Sequence, residues 1–325
     1  MNKPNLAVIA GGYSSEKIVS LKSLETLLKY IDDKKYNLYK VIIDELGWYL
    51  YLDESKFEIN KTDFSVNTHL GIIHFDFAFI TIHGTPGEDG RLQAYLDLVK
   101  IPYSTPGYLA STITSNKFVC NSFLKQNGFT CAQALLIRKD QDYSSKSIVE
   151  KLGLPCFVKP SDGGSSFGVT KVFEEEKLKE AITLALDHGT EALIESFVKG
   201  IEVTCGVYTK DNQVHALPIT EIVSENDFFD FEAKYQGKSQ EITPARLTKE
   251  VTQKVQKATV NAYKILGLKG MSRIDFIIQN DVPYLIEVNT TPGLSEHSII
   301  PQQVNHLGIS LTDFFGWCIE TSINK

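Results

Sequence analysis

Two neighbouring segments in the last quarter of the chain constrain the fold more than any other part. Residues 273–278 and 284–289 each alternate polar and apolar side chains, which predicts a β-hairpin. A turn centred on Asp281 pairs Asp275 with Glu287 and Arg273 with Asn289, so that all four polar side chains point to one face. The opposite face is predicted to be core, formed by Ile274, Phe276, Ile286 and Val288.

The polar face of this hairpin carries two carboxylates directly opposite each other. Such a pair is destabilising unless something neutralises it, and a divalent cation does so. Carboxylate and amide oxygens suit Mg²⁺ or Mn²⁺ held together with nucleotide phosphates, which makes Asp275, Glu287 and Asn289 candidate metal ligands. A solvated polar face on an edge hairpin is the structural alternative.

The loop that follows the hairpin favours a functional site over that alternative. Residues 290–298 combine glycine with several hydroxyl side chains, which are positioned to close over a substrate. In such a site, Arg273 and the backbone N–H of Gly293 are candidates to stabilise charge on a transferring phosphoryl group or on an oxyanion.

Three other segments carry weaker signals. Lys159 precedes a loop of glycines and serines, residues 160–168, whose backbone amides can approach phosphates; a structural turn is the alternative. Glu195 and Glu202 flank a strand connection and are candidates to contact an adenine edge and a ribose hydroxyl, or else are solvated acids at strand ends. His83 opens a loop of small residues after an apolar strand, where open α/β sheets bind ligands, or else caps that loop structurally.

The order of predicted elements divides the chain into three domains. Residues 1–105 are predicted to be an α/β domain with a parallel sheet, residues 106–194 a small α+β domain, and residues 195–325 a C-terminal domain of long strands. A poorly periodic stretch at about 224–244 is predicted to be a lid. The predicted strands are 6–10, 39–43, 77–82, two within 157–172, 202–208, 273–278 and 284–288, and the predicted helices are 18–30, 92–98, 117–127, 175–186 and 250–266.

Composition excludes several classes of protein. The net charge of -7 provides no basic surface for DNA or RNA. The five cysteines are odd in number, scattered and never in a C-x-x-C pair, which indicates reduced thiols and no disulfide or zinc framework. The first apolar run is too short for a signal peptide and none approaches the roughly 20 residues of a membrane span, so a cytoplasmic location without membrane contact is expected.

Seven motifs, in order along the chain, resemble those of the D-alanine:D-alanine ligases, a branch of the ATP-grasp superfamily. The resemblance covers nearly the whole length, and it implies a three-domain ATP-grasp fold that makes D-alanyl-D-alanine for peptidoglycan and cell wall synthesis. A homodimer is suggested by the resemblance alone. The motifs are residues 11–16, 83–90, 159–168, 195–202, 232–235, 270–275 and 287–293.

The reaction that the resemblance implies has two steps. The carboxylate of a first D-alanine attacks the γ-phosphate of ATP and gives an acyl phosphate. The amine of a second D-alanine then attacks the activated carbonyl and releases phosphate. Chemistry agrees with this order, because a carboxylate is a poor electrophile until one of its oxygens becomes part of a good leaving group.

The resemblance also implies a role for each site residue. ATP would lie between the central and C-terminal domains, with two Mg²⁺ or Mn²⁺ ions on Asp275, Glu287 and Asn289. The residues implied to contact ATP are Lys117, Lys159 and Lys234 at the phosphates and Glu195 and Glu202 at the nucleoside.

The remaining implied roles concern the two amino-acid substrates. Glu16 would orient the first ammonium, Ser298 would receive the second carboxylate, and His83 and Leu294 would contact substrate. Arg273 and the amide of Gly293 would stabilise the oxyanion. Ser165, Tyr235 and Glu16 resemble a hydrogen-bonded trio that links the lid to the first-substrate pocket, and lid closure would exclude water from the acyl phosphate.

Two alternatives remain open from the sequence. The second substrate is D-lactate or D-serine in related ligases, although Tyr235, which the depsipeptide-forming relatives lack, argues for an amine nucleophile. The second alternative is a nucleotide-binding regulatory protein that has lost catalysis. The intact polar residues of the hairpin argue against it. Two departures from the family pattern, Asn116 before Lys117 and the pair of residues 17–18 after Glu16, affect fine substrate contacts more than the reaction.

Overall fold

A computed structural model describes residues 3–164, 167–224 and 239–323 and arranges them as three β-sheets with helices packed on their faces. The helices of these described residues are α1 Lys17–Tyr30, α2 Arg91–Leu98, α3 Tyr108–Ser115, α4 Lys117–Gln126, α5 Ser145–Leu152, α6 Leu178–His188, α7 Lys249–Ile265, α8 Ile299–His306 and α9 Leu311–Ile323, with a 3₁₀ turn at Glu175–Lys177. None of the described helices is both long enough and apolar enough to span a bilayer.

The first sheet is a mixed sheet in the order β6-β5-β4-β3-β2-β1-β7. β1 runs parallel to β2 and β7, and all the other pairs are antiparallel. Residues 6–10 of β1 have no exposed surface, as expected for an unbroken apolar run between two parallel neighbours. The strands are β1 Asn5–Gly11, β2 Asn37–Asp44, β3 Gly47–Leu52, β4 Ser55–Asn60, β5 Ser65–Thr68, β6 Gly71–Ile73 and β7 Phe77–Ile80.

The predicted α/β fold class is confirmed, although the parallel pairing predicted for the first layer covers only part of a mixed sheet. It holds for β1, β2 and β7, whereas β3 to β6 were not predicted at all. These strands follow one another through connections of two residues, at 45–46, 53–54 and 69–70, or of four, at 61–64, and connections that short permit only antiparallel pairing. Their mixture of exposed polar and apolar residues concealed them in the sequence.

The second and third sheets form the central and C-terminal parts of the chain. The second has the order β10-β9-β11-β8 and the third β14-β13-β12-β15-β16. The proposed domain boundaries at 105/106 and 194/195 separate these sheets, except that β11 crosses the second boundary. Their strands are β8 Ala134–Arg138, β9 Cys156–Pro160, β10 Thr170–Val172, β11 Glu191–Ser196, β12 Ile201–Lys210, β13 Gln213–Ser224, β14 Ser239–Ile242, β15 Met271–Gln279 and β16 Val282–Asn289.

The predicted hairpin is β15 and β16, and its functional register is confirmed. Asp275 pairs with Glu287 and Arg273 with Asn289. The turn is formed by residues 280 and 281, both with positive φ, so the strands leave it one position out of the predicted register, and a bulge restores that register before Glu287. The prediction that Ile286 is core is therefore wrong: Leu285 takes that position and is 1% exposed.

The C-terminal helix locks the first sheet to the third. Phe314 and Phe315 of α9 are fully buried. They share one core with Leu6 of β1, Phe79 of β7 and Tyr208 of β12. The rings of Phe79 and Phe315 meet edge to face with centroids 6.1 Å apart. This packing sets how the first sheet faces the hairpin.

Removing the aromatic ring from this junction should destabilise the whole protein. We expect Phe315→Ala to cost about 3–5 kcal/mol in the free energy of unfolding, because the truncation loses apolar burial and leaves a cavity. Urea unfolding measures this cost. Phe173→Ala is the matched control, since Phe173 is 57% exposed. A loss below about 1 kcal/mol in Phe315→Ala would contradict the packing described.

Candidate active site

The polar face of the hairpin is held by a closed set of hydrogen bonds around Asp275. The guanidinium of Arg273 donates to both carboxylate oxygens, with Nε–Oδ1 and Nη2–Oδ2 distances of 3.0 Å. Asn289 Nδ2 donates to Oδ2 at 3.0 Å, and the hydroxyl of Thr204 donates to Oδ1. The nearby carboxylates Asp275 and Glu287 raise the pKa of Arg273 against the opposing effect of its burial.

Glu287, the second carboxylate of the hairpin, has a cation of its own. Lys117 Nζ lies 3.2 Å from Glu287 Oε2 and donates to the carbonyl of Gly163 at 2.6 Å. Burial lowers the pKa of Lys117, but Glu287, Glu88 and Glu16 raise it by more, so it stays above its ordinary value. A single ammonium thus joins the glycine-rich loop to the hairpin.

Lys117 owes its position to the start of α4. The side chain of Asn116 caps this helix by accepting the N–H of Val119 at 3.0 Å, and it also accepts the hydroxyl of Ser161 at 2.8 Å. Asn116 departs from the family pattern, but an amide oxygen caps a helix as well as a carboxylate does. The departure therefore leaves Lys117 in place.

Lys159 and Glu195 form a second buried ion pair. They lie on neighbouring strands β9 and β11, with Nζ and Oε2 2.6 Å apart and their side chains 12% and 10% exposed. Asn121 of α4 lies beside them and donates to the carbonyl of Ile286 at 3.0 Å, which connects the pair to the hairpin. The structure thus brings Lys117, Lys159 and Glu195 into one cleft between the second and third sheets.

Glu202 lies on the third sheet, on the same side as the hairpin carboxylates. It belongs to β12, two residues before Thr204, and strand alternation gives both side chains the same face. Thr204 pairs with Asp275 and bonds its carboxylate. The structure therefore groups Glu202 with the predicted metal ligands.

The N-terminal domain contributes Glu16 and His83 to the cleft. Glu16 Oε2 lies so close to the backbone of Gly164 that a Cβ on that glycine would approach it within 2.7 Å. Ser14 donates to the carbonyl of His83 at 3.1 Å, which holds the two N-terminal loops together. The first domain therefore meets the glycine-rich loop of the second at Glu16.

His83 presents a nitrogen to the cleft with no protein partner among the described residues. The side chain is 8% exposed, and its Nε2 is buried without a hydrogen bond there. Burial lowers the pKa of His83; Glu16 acts against this and Arg273 reinforces it. A neutral imidazole in this place is suited to a polar ligand, because a buried polar atom without a partner is costly.

Glu88, in the same loop as His83, was not identified as a site residue from the sequence. Its carboxylate accepts the N–H of Gly84 at 3.1 Å and that of Thr291 at 3.4 Å, and so ties the first domain to the loop after the hairpin. Burial, followed by the charge of Glu16, raises its pKa to about 7. The sequence signal that could have identified Glu88 is its place within the motif of residues 83–90.

The loop after the hairpin leads into α8. Ser298 precedes this helix, and its hydroxyl lies 2.7 Å from that of Ser295 and against Gly293. A helix N-terminus favours a bound carboxylate, as the predicted role of Ser298 requires. The side chain of Leu294 is 2% exposed within the core, and its N–H binds Ser23 Oγ at 3.0 Å, so its predicted substrate contact stays a prediction.

Gln303 fixes α8 to the third sheet and was also missed. It is fully buried, accepts the N–H of Gly206 at 3.0 Å, and donates to the carbonyl of Thr204 at 3.1 Å and the hydroxyl of Thr220 at 3.0 Å. All three partners belong to other elements and lie 83 to 99 residues away from Gln303 in the sequence. Nothing in the local sequence distinguishes this glutamine from a surface residue.

The metal prediction concerns a donor set of two carboxylates and one amide. Within the described parts of the chain, no group of three His, Cys, Asp or Glu side chains is placed to hold a metal ion unaided. Asp275, Glu287 and Asn289 nevertheless offer the hard oxygens that Mg²⁺ takes when phosphate oxygens complete its shell. The residues present fit such an ion.

Some predicted site residues lie outside the described residues. They are Ser165, Lys234, Tyr235 and residues 225–238 of the predicted lid.

Comparison with known proteins agrees with this geometry. The cleft between the second and third sheets, lined by paired lysines and carboxylates, is similar to that of ATP-grasp enzymes, and the chain's matches place it in this class. The family model for the D-ala D-ala ligase N-terminus matches residues 5–106, and that for the C-terminus matches residues 123–320. The chain belongs to the D-alanine–D-alanine ligase family.

Curated relatives and solved structures match over nearly the full length. The D-alanine–D-alanine ligases of Bacteroides fragilis and Flavobacterium johnsoniae are each 48% identical over 320 residues, which is 98% of this chain and 99% of theirs. The VanG D-Ala:D-Ser ligase from Enterococcus faecalis has a TM-score of 0.87 at 30% identity, covering 98% of both chains. A D-alanine–D-alanine ligase from Bacillus anthracis complexed with ATP has a TM-score of 0.79 at 29% identity, covering 99% of this chain and 98% of that one.

The raised pKa of Glu88 predicts a pH-dependent contribution to stability. The folded protein holds this proton up to about pH 7, whereas the ordinary value is 4.5, so the contribution is full below pH 4.5 and is lost as pH rises towards 7. Glu88→Gln stays neutral throughout. Allowing for solvent screening, its stability relative to the wild type should be about 1–2 kcal/mol more favourable at pH 8 than at pH 4.5.

Thermal unfolding of both proteins at the two pH values measures this difference. The exposed Glu176→Gln variant removes the same charge from the surface and serves as the control. If Glu88→Gln and the wild type differed in Tm by the same amount at both pH values, the assignment of a raised pKa to Glu88 would be wrong.

Proposed function

We propose that this protein joins two D-alanine molecules into D-alanyl-D-alanine, using ATP and releasing ADP and phosphate. The observation that carries the proposal is the bridge made by Lys117, which connects the carbonyl of Gly163 to Glu287 across the cleft. The relatives named D-alanine–D-alanine ligase, which match the whole chain, support the same substrates. The solved relative complexed with ATP supports the nucleotide.

In the proposed complex, ATP occupies the cleft between the second and third sheets. Lys117 and Lys159 contact its phosphates, together with Lys234 of the lid. Glu195 and Glu202 accept hydrogen bonds from the nucleoside. The ion pairs of both described lysines support this assignment, because each ammonium group, already held in the cleft, can exchange its carboxylate partner for a phosphate and so remain paired.

Asp275, Glu287 and Asn289 would hold Mg²⁺ or Mn²⁺, two ions in all. Bound there, the ions would neutralise charge on the phosphates and help to orient the γ-phosphate. The protein's own contribution is to hold the three ligands rigidly. The hydrogen bonds of Arg273, Thr204 and Asn289 to Asp275 support this role.

The first D-alanine lies between the N-terminal domain and the glycine-rich loop in this proposal. Glu16 binds its ammonium, and His83 offers its buried Nε2 to a polar group of the substrate. One carboxylate oxygen attacks the γ-phosphorus, the bond to the β-bridging oxygen breaks, and ADP leaves. The product is an acyl phosphate, in which the carbonyl carbon has become electrophilic.

The second D-alanine lies at the N-terminus of α8, where Ser298 and the first-turn amides receive its carboxylate. Its ammonium first releases one proton to solvent. The neutral amine then attacks the acyl carbon and forms a tetrahedral oxyanion, and a second proton passes from its nitrogen to the departing phosphate. Arg273 and the N–H of Gly293 stabilise that oxyanion. The carbon–oxygen bond to the phosphate then breaks, which leaves an amide bond and free phosphate.

Water must be excluded while the acyl phosphate exists, because water also attacks it. The proposed trio of Glu16, Ser165 and Tyr235 would connect the closed lid to the first-substrate pocket. The closeness of Glu16 to Gly164, the residue before Ser165, supports the first link of this trio. We further propose that the enzyme works in the cytoplasm as a homodimer, where its product serves peptidoglycan synthesis.

D-serine is the second candidate for the second substrate. The likeness to the VanG D-Ala:D-Ser ligase over 98% of the chain favours testing it, and D-lactate follows as the hydroxyl analogue. Tyr235 favours an amine nucleophile, which both D-alanine and D-serine have. The choice among them rests on residues 294–298 and on the lid.

Phosphate release and product mass test the proposed function together. The purified protein is incubated with ATP, Mg²⁺ and D-alanine, alone and with D-serine or D-lactate added. Phosphate accompanied by D-alanyl-D-alanine supports the proposal. A mixed product in the supplemented reactions would instead indicate a ligase that uses D-serine or D-lactate as its second substrate. ATP binding with no phosphate under any condition contradicts it and favours a protein that has lost catalysis.

Glu287→Ala tests the hairpin carboxylates. We expect a loss of turnover of at least about 100-fold at saturating ATP and Mg²⁺, because the metal and phosphates lose a ligand. The variant also leaves buried Lys117 without its carboxylate partner, so turnover is measured at a temperature at which circular dichroism shows the variant to be folded. Glu180→Ala, at an exposed glutamate on α6, is the matched control. Turnover equal to that of the wild type in Glu287→Ala would remove Glu287 from the metal site.

A further inference from the structure

Glu241 is a carboxylate on the cleft side of the third sheet for which the proposed reaction has no role. It lies on the edge strand β14 and pairs with Ile222 of β13, which in turn pairs with Glu202 of β12. Directly paired residues of antiparallel strands share a face, so Glu241 points to the same side as Glu202 and the hairpin carboxylates. It is also partly buried, which is unusual for an acid on an edge strand.

A single side-chain amide connects Glu241 to the start of α8. Gln302 Nε2 donates one hydrogen to Glu241 Oε2 at 2.6 Å and the other to the carbonyl of His297 at 2.7 Å. The N–H of Gln302 also binds the carbonyl of Ser298 at 3.1 Å, in the first turn of the helix. Both amide hydrogens are therefore used. The peptide between His297 and Ser298 is held at both of its polar groups, because its carbonyl accepts from Gln302 and its N–H donates to the carbonyl of Ser295 at 2.8 Å.

The position of Ser298 depends on that peptide. Its hydroxyl already lies against Gly293 and Ser295, so a small rotation of the 297–298 peptide would move it out of this arrangement. Without Glu241, Gln302 loses its strongest partner and is free to adopt other rotamers, because a hydrogen bond to a carboxylate is about twice as strong as a neutral one. The start of α8 would then be held by the backbone alone.

Electrostatics supports the same placement of Glu241. Burial raises its pKa, while the hydrogen bond from Gln302 and the charge of Arg273 lower it by less. This agrees with the strand pairing, which places Glu241 on the same face of the sheet as the hairpin carboxylates.

We infer that Glu241 is a positioning residue for the second substrate: through Gln302 it fixes the 297–298 peptide, and thereby the group that receives the second carboxylate. The inference rests on the proposed function, because it takes Ser298 to be that group. It assigns Glu241 no contact with ATP and none with the first substrate. Substitution of Glu241 should therefore weaken binding of the second D-alanine, and leave binding of ATP and of the first D-alanine unchanged.

The test separates positioning from charge and from fold stability. Glu241→Ala removes the acceptor, Glu241→Gln keeps an acceptor oxygen for Gln302 but no charge, and Gln302→Ala removes the connecting amide. Phosphate release is measured against D-alanine at saturating ATP, fitted to two successive KM values, and against ATP at saturating D-alanine. Gln256→Ala is the control, since Gln256 also donates to a main-chain carbonyl, that of Leu217 at 3.2 Å, from the helix α7.

We expect Glu241→Ala to raise the KM of the second D-alanine about tenfold, with the KM of the first D-alanine and that of ATP within about twofold of the wild type. Gln302→Ala should reproduce this pattern, and the double variant should add nothing to it. Glu241→Gln should restore the second KM to within about twofold. Gln256→Ala should leave all three values unchanged.

Two other results would overturn the inference. One is an unchanged second KM in Glu241→Ala; the other is an equal rise in all three KM values, which is the signature of a general structural defect. A wild-type protein that made no dipeptide would overturn the proposed function together with this inference. An active wild type with an unaltered Glu241→Ala variant would overturn the inference alone.

Discussion

The active site depends on one ammonium group, that of Lys117, which makes two contacts at once. Lys117 donates to the carbonyl of Gly163 and pairs with Glu287, and so holds the glycine-rich loop of the second sheet against the hairpin of the third. Neither partner is close to Lys117 in sequence, and Asn116 sets its position by capping α4. Because the ammonium is largely buried, loss of either partner would leave a charge poorly compensated, which is far more costly than the pair itself is stabilising.

The same logic extends across the cleft. Asp275 is paired with Arg273, and Lys159 with Glu195, so these four side chains, like Lys117 and Glu287, each have an opposite charge beside them. In the proposed complex, ATP would bring negative phosphates and the metal ions positive charge, and these would replace the internal partners with little change in the net charge of the cleft. The protein thus keeps reactive side chains in low-dielectric surroundings without isolated charges, and holds them close to the geometry the reaction requires.

The sequence predicted those features of the fold and site that depend on local periodicity. Alternation of period two was enough to set Asp275 opposite Glu287, whereas the bulge that puts Leu285 in the core in place of Ile286 depends on packing that alternation does not encode. The antiparallel half of the first sheet was missed for the same reason, since short mixed strands carry no clear pattern. Glu88 acquires its role from a residue 203 positions away, and such contacts are not visible in a single sequence.

The most direct test of the account follows an oxygen atom. D-alanine carrying ¹⁸O in both carboxylate oxygens is incubated with the protein, ATP and Mg²⁺, and the released phosphate is analysed by mass spectrometry. If the carboxylate attacks the γ-phosphate, one of its oxygens leaves with the phosphorus, so each phosphate molecule should carry one ¹⁸O. Dipeptide formed with unlabelled phosphate, or with pyrophosphate in its place, would contradict the central claim that the cleft activates a carboxylate by phosphoryl transfer.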